Sequence, residues 1–291
     1  MNTYIWLFRR EVWENRAIWM LPAAVSAVLL FIFLFGKLQV EDLPQHLTSE
    51  QIAVVAPMFF SMIAVLMLSL MSVYTAWYLL DCLYADRKDR SVLFWKSLPV
   101  TDTATVLSKL AMALLVIPLV YFIAADVTAL GAAFILSVRG GSHFTAALWN
   151  PANWLHMQVL SLYMIVTSAL WFLPVSAWFL LVSAWANRAV TLWAVVAPAV
   201  VCFVELKLLG TRYLMDAVWA HLLGYLRTAF RDAEQYSSVS PDGGDFTVPR
   251  ITWRLIDPAS FCSSVEMWVG VALGVAFVAG AIYLRQRRTE A

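Results

Sequence analysis

The chain reads as an all-α, polytopic membrane protein with six spanning helices and both ends on the cytoplasmic side. Three observations give this fold class. Of the 291 residues, 62% are hydrophobic and 13% charged, about half the charged share usual in a soluble domain. The apolar residues gather into runs of roughly 20, the length that crosses a hydrocarbon layer about 30 Å thick. Lys and Arg crowd one set of the connections between those runs and avoid the other, which is the bias that sets orientation.

Taken in order, span 1 is expected from Ala17 to Phe35, ending at Gly36-Lys37, and span 2 from Ala53 to Leu80. Span 3 covers Leu110 to Val138, span 4 Met157 to Ala184, and span 5 Ala189 to Leu209. Span 6 runs from Val265 to Leu284 and closes on Arg285-Gln286-Arg287-Arg288. Several of these exceed 20 residues, which permits tilt or ends that stand in water. Arg9, Arg10 and Arg16 mark one cytoplasmic segment, and Arg87, Lys88, Arg90, Lys96 and Lys109 a second. Arg188 and the Arg285–Arg288 tail mark the others, while the short loops opposite hold only Lys37 and Arg139. The long 207–264 connection is basic too, but it nears the length at which charge stops dictating topology. N-in and C-in require an even number of crossings, and six satisfies that.

The whole chain, 1–291, is then one transmembrane domain. It divides into an interfacial helix (1–16), spans 1 and 2 with the loop that follows (17–110), spans 3 to 5 (110–209), an outer segment (210–264), and span 6 with its tail (265–291). The N-terminus lacks the pattern of a cleavable signal, because its lead carries Glu11 and Glu14 and no small residues follow the apolar run. Between Ile5 and Arg16, Ile5, Phe8 and Val12 share a face opposite Arg10, Glu11, Glu14 and Asn15, as in a helix lying on the inner membrane surface. Between Tyr213 and Arg231, Met215, Val218, Trp219, Leu222, Leu226 and Ala229 form a stripe opposite Asp216, His221, Arg227, Thr228 and Arg231. That charge argues against a seventh crossing and for a helix flat on the outer interface. Ser237 to Gly244 reads as turn-rich.

Several functions are disfavoured. A net charge of +1 leaves no footprint for nucleic acid. Cys82, Cys202 and Cys262 lie far apart and read as isolated thiols, two at membrane level and one in a loop. The four histidines (His46, His143, His156, His221) share no ligand spacing, so no metal, cofactor or catalytic residue is assigned. HExxH and GxSxG are absent, as is GxxxxGK[ST], so ATP hydrolysis is not expected from this chain alone.

The most informative stretch is Asp86 to Leu110, DRKDRSVLFWKSLPVTDTATVLSKL. Within this charged loop, Val92, Leu93, Phe94, Trp95 and Leu98 form an apolar patch framed by Lys and Arg and ended by Pro99. A short amphipathic helix and a Pro-initiated turn fit it, with Thr101 or Asp102 capping the helix that carries Lys109 into span 3. Exposed to water, the patch would be costly; lipid headgroups or a groove on a soluble partner would cover it.

Ser97-Leu98-Pro99-Val100, preceded by acidic and basic residues and an apolar stretch and followed by Ser108-Lys109-Leu110, resembles the cytoplasmic loop of ABC-2-type transporter permeases. The family's acidic position corresponds best to Asp86, and its Gly-Thr position reads Asp89-Arg90-Ser91 here. The layout of an interfacial helix, six spans and an outer segment between spans 5 and 6 is also similar. The resemblance implies a contact with a separate ABC ATPase subunit, which holds the ATP-Mg, through Asp86, Arg87, Arg90, Leu93, Phe94, Trp95, Leu98 and Pro99. Phe94 and Trp95 would be the anchors and the basic residues the rim. It further implies a second permease copy or a related permease, export of a hydrophobic or amphipathic substrate, and a bacterial cytoplasmic membrane.

Other residues carry two readings each. Asp126, near the middle of span 3, faces a translocation path or is tied to Thr128 or a neighbouring helix; insertion of an ionised Asp there costs about 2.5–3.5 kcal/mol. Trp171, Trp178 and Trp185 recur every seven residues on span 4 and line an aromatic path or a packing seam. Trp149, Trp154 and Trp268 suit an outer interfacial belt. Pro118, Pro174 and Pro198 are expected to kink their spans. Glu205 and Lys207 read as a solvated edge. The competing function is a membrane protein that transports nothing and docks a cytoplasmic regulator through the same loop.

Overall fold

In hydrocarbon a helix satisfies its own backbone, so long apolar runs become helices. The computed structural model describes residues 3–36, 49–88, 100–230 and 255–287. Among these the chain is helical throughout, apart from connecting turns and one antiparallel bridge between Phe230 and Ile256. The helices are α1 (Thr3–Glu14), α2 (Ala17–Phe35), α3 (Ser49–Lys88), α4 (Asp102–Ala111), α5 (Ile117–Leu148), α6 (Pro151–Trp171), α7 (Leu173–Trp185), α8 (Val190–Val204), α9 (Tyr213–Ala229), α10 (Pro258–Ser263) and α11 (Val265–Arg287). Six described stretches are long and apolar enough to cross a membrane: Ala17–Phe35, Phe60–Lys88, Asp102–Arg139, Pro151–Trp171, Val190–Leu209 and Val265–Arg287. The chain is therefore a multi-pass membrane protein.

Span 1 has the predicted bounds, and Gly36 ends it with its N–H bonded to Ile32 O. Span 5 (Val190–Leu209) agrees to within a residue and span 6 starts at Val265 as expected, while spans 2, 3 and 4 differ. Span 2 continues as helix to Lys88, so Asp86 and Arg87 stand on its last turn instead of in a loop. Nothing between Leu80 and Lys88 breaks a helix, and Arg87 and Lys88 suit the negative end of its dipole. Span 3 begins as helix at Asp102, capped by Thr101, whose Oγ1 accepts from Ala104 N at 3.1 Å. A π-helical turn, Met112–Val116, joins α4 to α5 just ahead of Pro118. The proline ring lacks a donor and crowds the carbonyl four residues back, and widening the helix relieves both.

At the end of α5, Trp149 Nε1 donates to Ser137 Oγ at 2.8 Å. Twelve residues of straight helix would separate these by about 18 Å. The chain therefore bends between them, as the 3.3 Å bond from Thr145 Oγ1 to Ser137 O, eight residues back, also requires.

Span 4 is two helices. Phe172 breaks it (φ −87°, ψ 10°), and Pro174 starts the second piece. Trp171 and Trp178 thus sit on different helices, so the seven-residue aromatic stripe is not one continuous face.

The closest helix packing joins α7 to α11 along small residues. A Cβ on Gly274 would fall 2.8 Å from Leu173 Cγ, and one on Gly270 would fall 2.9 Å from His221 Cε1. Gly274 lets α7 and α11 approach as small residues do in membranes, and Gly270 makes room for His221 of α9. A core of Ile18, Tyr74, Tyr78, Leu83, Val106, Ile117, Leu180 and Ala281 binds α2, α3, α4, α5, α7 and α11. By contrast, only Val190 and Ala194 of α8 are buried.

α9 packs on the bundle through Tyr225 and through Ala229 of the apolar stripe, while Trp219, Leu222 and Leu226 of that stripe stand exposed. Asp216 and Arg227 of the polar side are exposed as well. Cys262 lies in the short α10 instead of a loop.

Candidate functional site

The charged end of the bundle is assembled from α1, the last turn of α3, α4 and the last turn of α11. Lys109 Nζ lies 2.9 Å from Glu11 Oε1 and 3.6 Å from Asp86 Oδ2. Arg285 Nη1 lies 3.2 Å from Asp86 Oδ2, and its Nε donates to Asp102 Oδ1 at 3.0 Å. Arg10 reaches Asp86 Oδ1 at 3.6 Å and Glu14 Oε1 at 2.8 Å. Tyr78 donates its hydroxyl to the other oxygen of Glu11 at 2.8 Å.

Glu11 and Lys109 are each 2% exposed, Asp86 6% and Arg285 7%. Such burial is tolerable only for paired charges. Arg10, Lys109 and Arg285 balance Glu11, Asp86 and Asp102, while Glu14 stands at the wetter rim. Each helix delivers its charge for a local reason. Asp102 is in the first turn of α4 and Arg285 in the last turn of α11, the positions their dipoles favour. Leu7 and Glu11, one turn apart, form the buried face of α1.

In sequence the network brackets residues 89–99, through Asp86 before them and Asp102 and Lys109 after them. Arg87 secures the same base differently. Its Nη2 donates to Ser183 O at 2.6 Å and Ala186 O at 2.7 Å, and its Nη1 to Asn187 Oδ1 at 3.3 Å. It thereby closes the carbonyl end of α7.

Of the eight residues assigned to the partner contact, Asp86 and Arg87 are thus engaged inside the chain. A carboxylate 6% exposed is not a rim residue, because its oxygens face cations on three other elements. Arg90, Leu93, Phe94, Trp95, Leu98 and Pro99 lie outside the described residues.

The residues assigned to a path do not form one site. Asp126 accepts from Gln158 Nε2 of α6 at 2.8 Å, a tie to a neighbouring helix and not to Thr128. Thr128 instead donates to Ala124 O and meets Ser26 Oγ at 2.7 Å. Ser26 is midway along α2, so Asp126 keeps its mid-span position. Beside it is a cavity of about 30 Å³ lined by Phe60, Phe122, Trp154, Met157, Gln158 and Ser161 among others.

Trp171 is fully buried, stacked on His221 with centroids 4.8 Å apart and planes 5° from parallel. Its Nε1 donates to His221 O at 2.6 Å, and His221 Nε2 returns a bond to Trp171 O at 2.7 Å; facing a carbonyl, that nitrogen carries the proton. Tyr225, one turn on, bonds Met164 O and Thr167, and burial pushes its hydroxyl up to about 12. Trp178 donates to Ala194 O at 3.0 Å and packs on Phe277. Both tryptophans join helices.

Glu205 is likewise no solvated edge. It accepts from Thr211 Oγ1 and from Leu214 N, both at 2.9 Å, and so caps the start of α9. Arg139 closes the end of α2 by donating to Phe33 O and Gly36 O. Among the described residues no three His, Cys, Asp or Glu side chains converge as a metal site would require.

Sequence reasoning missed Glu11, Asp102 and Arg285 as partners, and Gln158 and His221 as anchors. One signal was available: Asp86, Lys109 and Arg285 each fall within a turn of an apolar run's edge, with opposite signs on adjacent spans. Comparison of the chain with protein-family models, with curated proteins and with solved structures gives no match.

Proposed function

We propose that this chain is the membrane-spanning subunit of an ATP-driven transporter, an exporter of a hydrophobic or amphipathic substrate coupled to a separate ATP-binding subunit. The observation that carries this reading is the 86–110 region: an apolar, aromatic-bearing segment held between Asp86 and Lys109, two members of one buried ion network. A peripheral loop that only rests on headgroups has no need of such anchoring. A loop that receives force does, because its base must move the helices attached to it. Pushing on 89–99 would load α3 and α4 directly, and α1 and α11 through Glu11 and Arg285.

In this reading the charged end is cytoplasmic, which the Lys and Arg bias supports. Both termini then lie inside, and α9 lies on the outer interface with Trp219 and Leu226 toward lipid. The exposed face of α8 is where a second copy or a related permease would pack. Phe94 and Trp95 anchor in the ATPase groove, with Arg90 beside them.

The test is co-purification. Phe94→Ala with Trp95→Ala should lower recovery of the ATP-binding subunit at least tenfold while membrane insertion is unchanged. Undiminished recovery with normal ATP turnover would show that Phe94 and Trp95 are not the contact, whereas no ATP-binding subunit recovered even with the unaltered chain would favour the docking protein that transports nothing. Labelling a cysteine placed at Ser91 from outside intact cells would overturn the orientation itself.

A further inference from the structure

The network at the charged end gives every buried carboxylate a cation. Asp126 is different. Among the described residues it has no Lys, Arg or His nitrogen within 4 Å, and its partner is the neutral amide of Gln158. A carboxylate inside a span with only an amide beside it lacks compensation for its charge. It also borders a cavity walled by the rings of Phe60, Phe122 and Trp154, and aromatic faces attract cations.

Hydrogen bonding narrows the class. The cavity has room for more than a single water, so an –NH3+ group fits it. The N–H donors of such a head would meet the Asp126 carboxylate, which a trimethylammonium group, having none, cannot do; Gln158 and Ser161 line the same cavity. Next to Asp126, Ile123 and Val127 on α5 and Val159 and Leu162 on α6 are exposed and apolar, a surface suited to an alkyl chain.

We infer that the Asp126 pocket binds the primary-ammonium head of an amphipathic amine whose alkyl chain lies along α5 and α6. This rests on the transport reading for its purpose, naming the substrate class, but the binding itself needs no ATPase.

The test uses the full chain in phosphatidylcholine nanodiscs with radiolabelled octylamine. Octanol serves as the uncharged probe, octyltrimethylammonium as the charged one without N–H donors, and empty nanodiscs are subtracted. Octylamine should be retained saturably, octyltrimethylammonium at least tenfold more weakly, and octanol without saturation. Asp126→Asn should weaken octylamine retention at least tenfold. Ala64→Leu, which fills the cavity and leaves the carboxylate in place, should do the same and decides the matter if the first variant does not fold. Equal retention of the three probes, or octylamine binding undiminished in the folded variants, would overturn the inference. No saturable octylamine binding by the unaltered chain, with ATPase co-purification intact, would sink the pocket alone; saturable binding without any ATPase co-purification would sink the transport reading alone.

Discussion

Glu11, Asp86 and Asp102 each face a cation at 2.9–3.2 Å, whereas Asp126 faces only the Gln158 amide at 2.8 Å. The first three come from elements far apart in sequence, so their burial is a result of folding and holds the helix ends in register. Asp126 is paired across one helical hairpin by a group that offers geometry without charge. The contrast separates two uses of a carboxylate in a membrane protein. One is locked by counter-charges inside the chain, and the other keeps capacity for a charge from outside.

That contrast can be broken by measurement. The largest effect should come from Lys109→Met, which leaves Glu11 and Asp86 without their shared ammonium. Truncating one member of a buried pair costs about 3–5 kcal/mol, readable as a lowered Tm in nanodiscs. Adding Glu11→Leu should recover part of the loss, because the two residues touch and their effects are coupled. Strict additivity in the double variant would show that they act separately.

A smaller loss is expected from Gly274→Leu. Its side chain would collide with Leu173 and force α7 from α11, at about 1–3 kcal/mol for overpacking. The same thermal measurement reads it, and no change would mean that the two helices are not held as closely as Gly274 implies. The smallest effect belongs to Asp126→Asn. The amide preserves an acceptor for Gln158, so stability should shift by less than about 1 kcal/mol. A shift as large as that of Lys109→Met would erase the distinction between the two carboxylates.

How far the sequence could be read depended on the range of the interaction. Thr101 was legible as a cap because its partner, Ala104, is three residues on. Gly36 was legible as the end of span 1 for the same reason. The break at Phe172 was half legible: Pro174 announced a disturbance, but not that it would divide Trp171 from Trp178. In α9 the apolar periodicity was legible, but not that Tyr225 and Ala229 would be the residues that pack on the bundle, because an apolar stripe looks the same whether it meets protein or lipid. The Arg285–Asp102 pair spans 183 residues, and no local pattern links such positions.

Composition and run length alone determined that this is a multi-pass helical membrane protein, because a hydrocarbon layer sets how many consecutive apolar residues a crossing needs. Tertiary structure alone decided which charges are partners, that Asp86 faces inward, and that Asp126 sits by a small aromatic cavity. Those outcomes depend on which helices become neighbours, and neighbours are chosen by packing across the whole bundle.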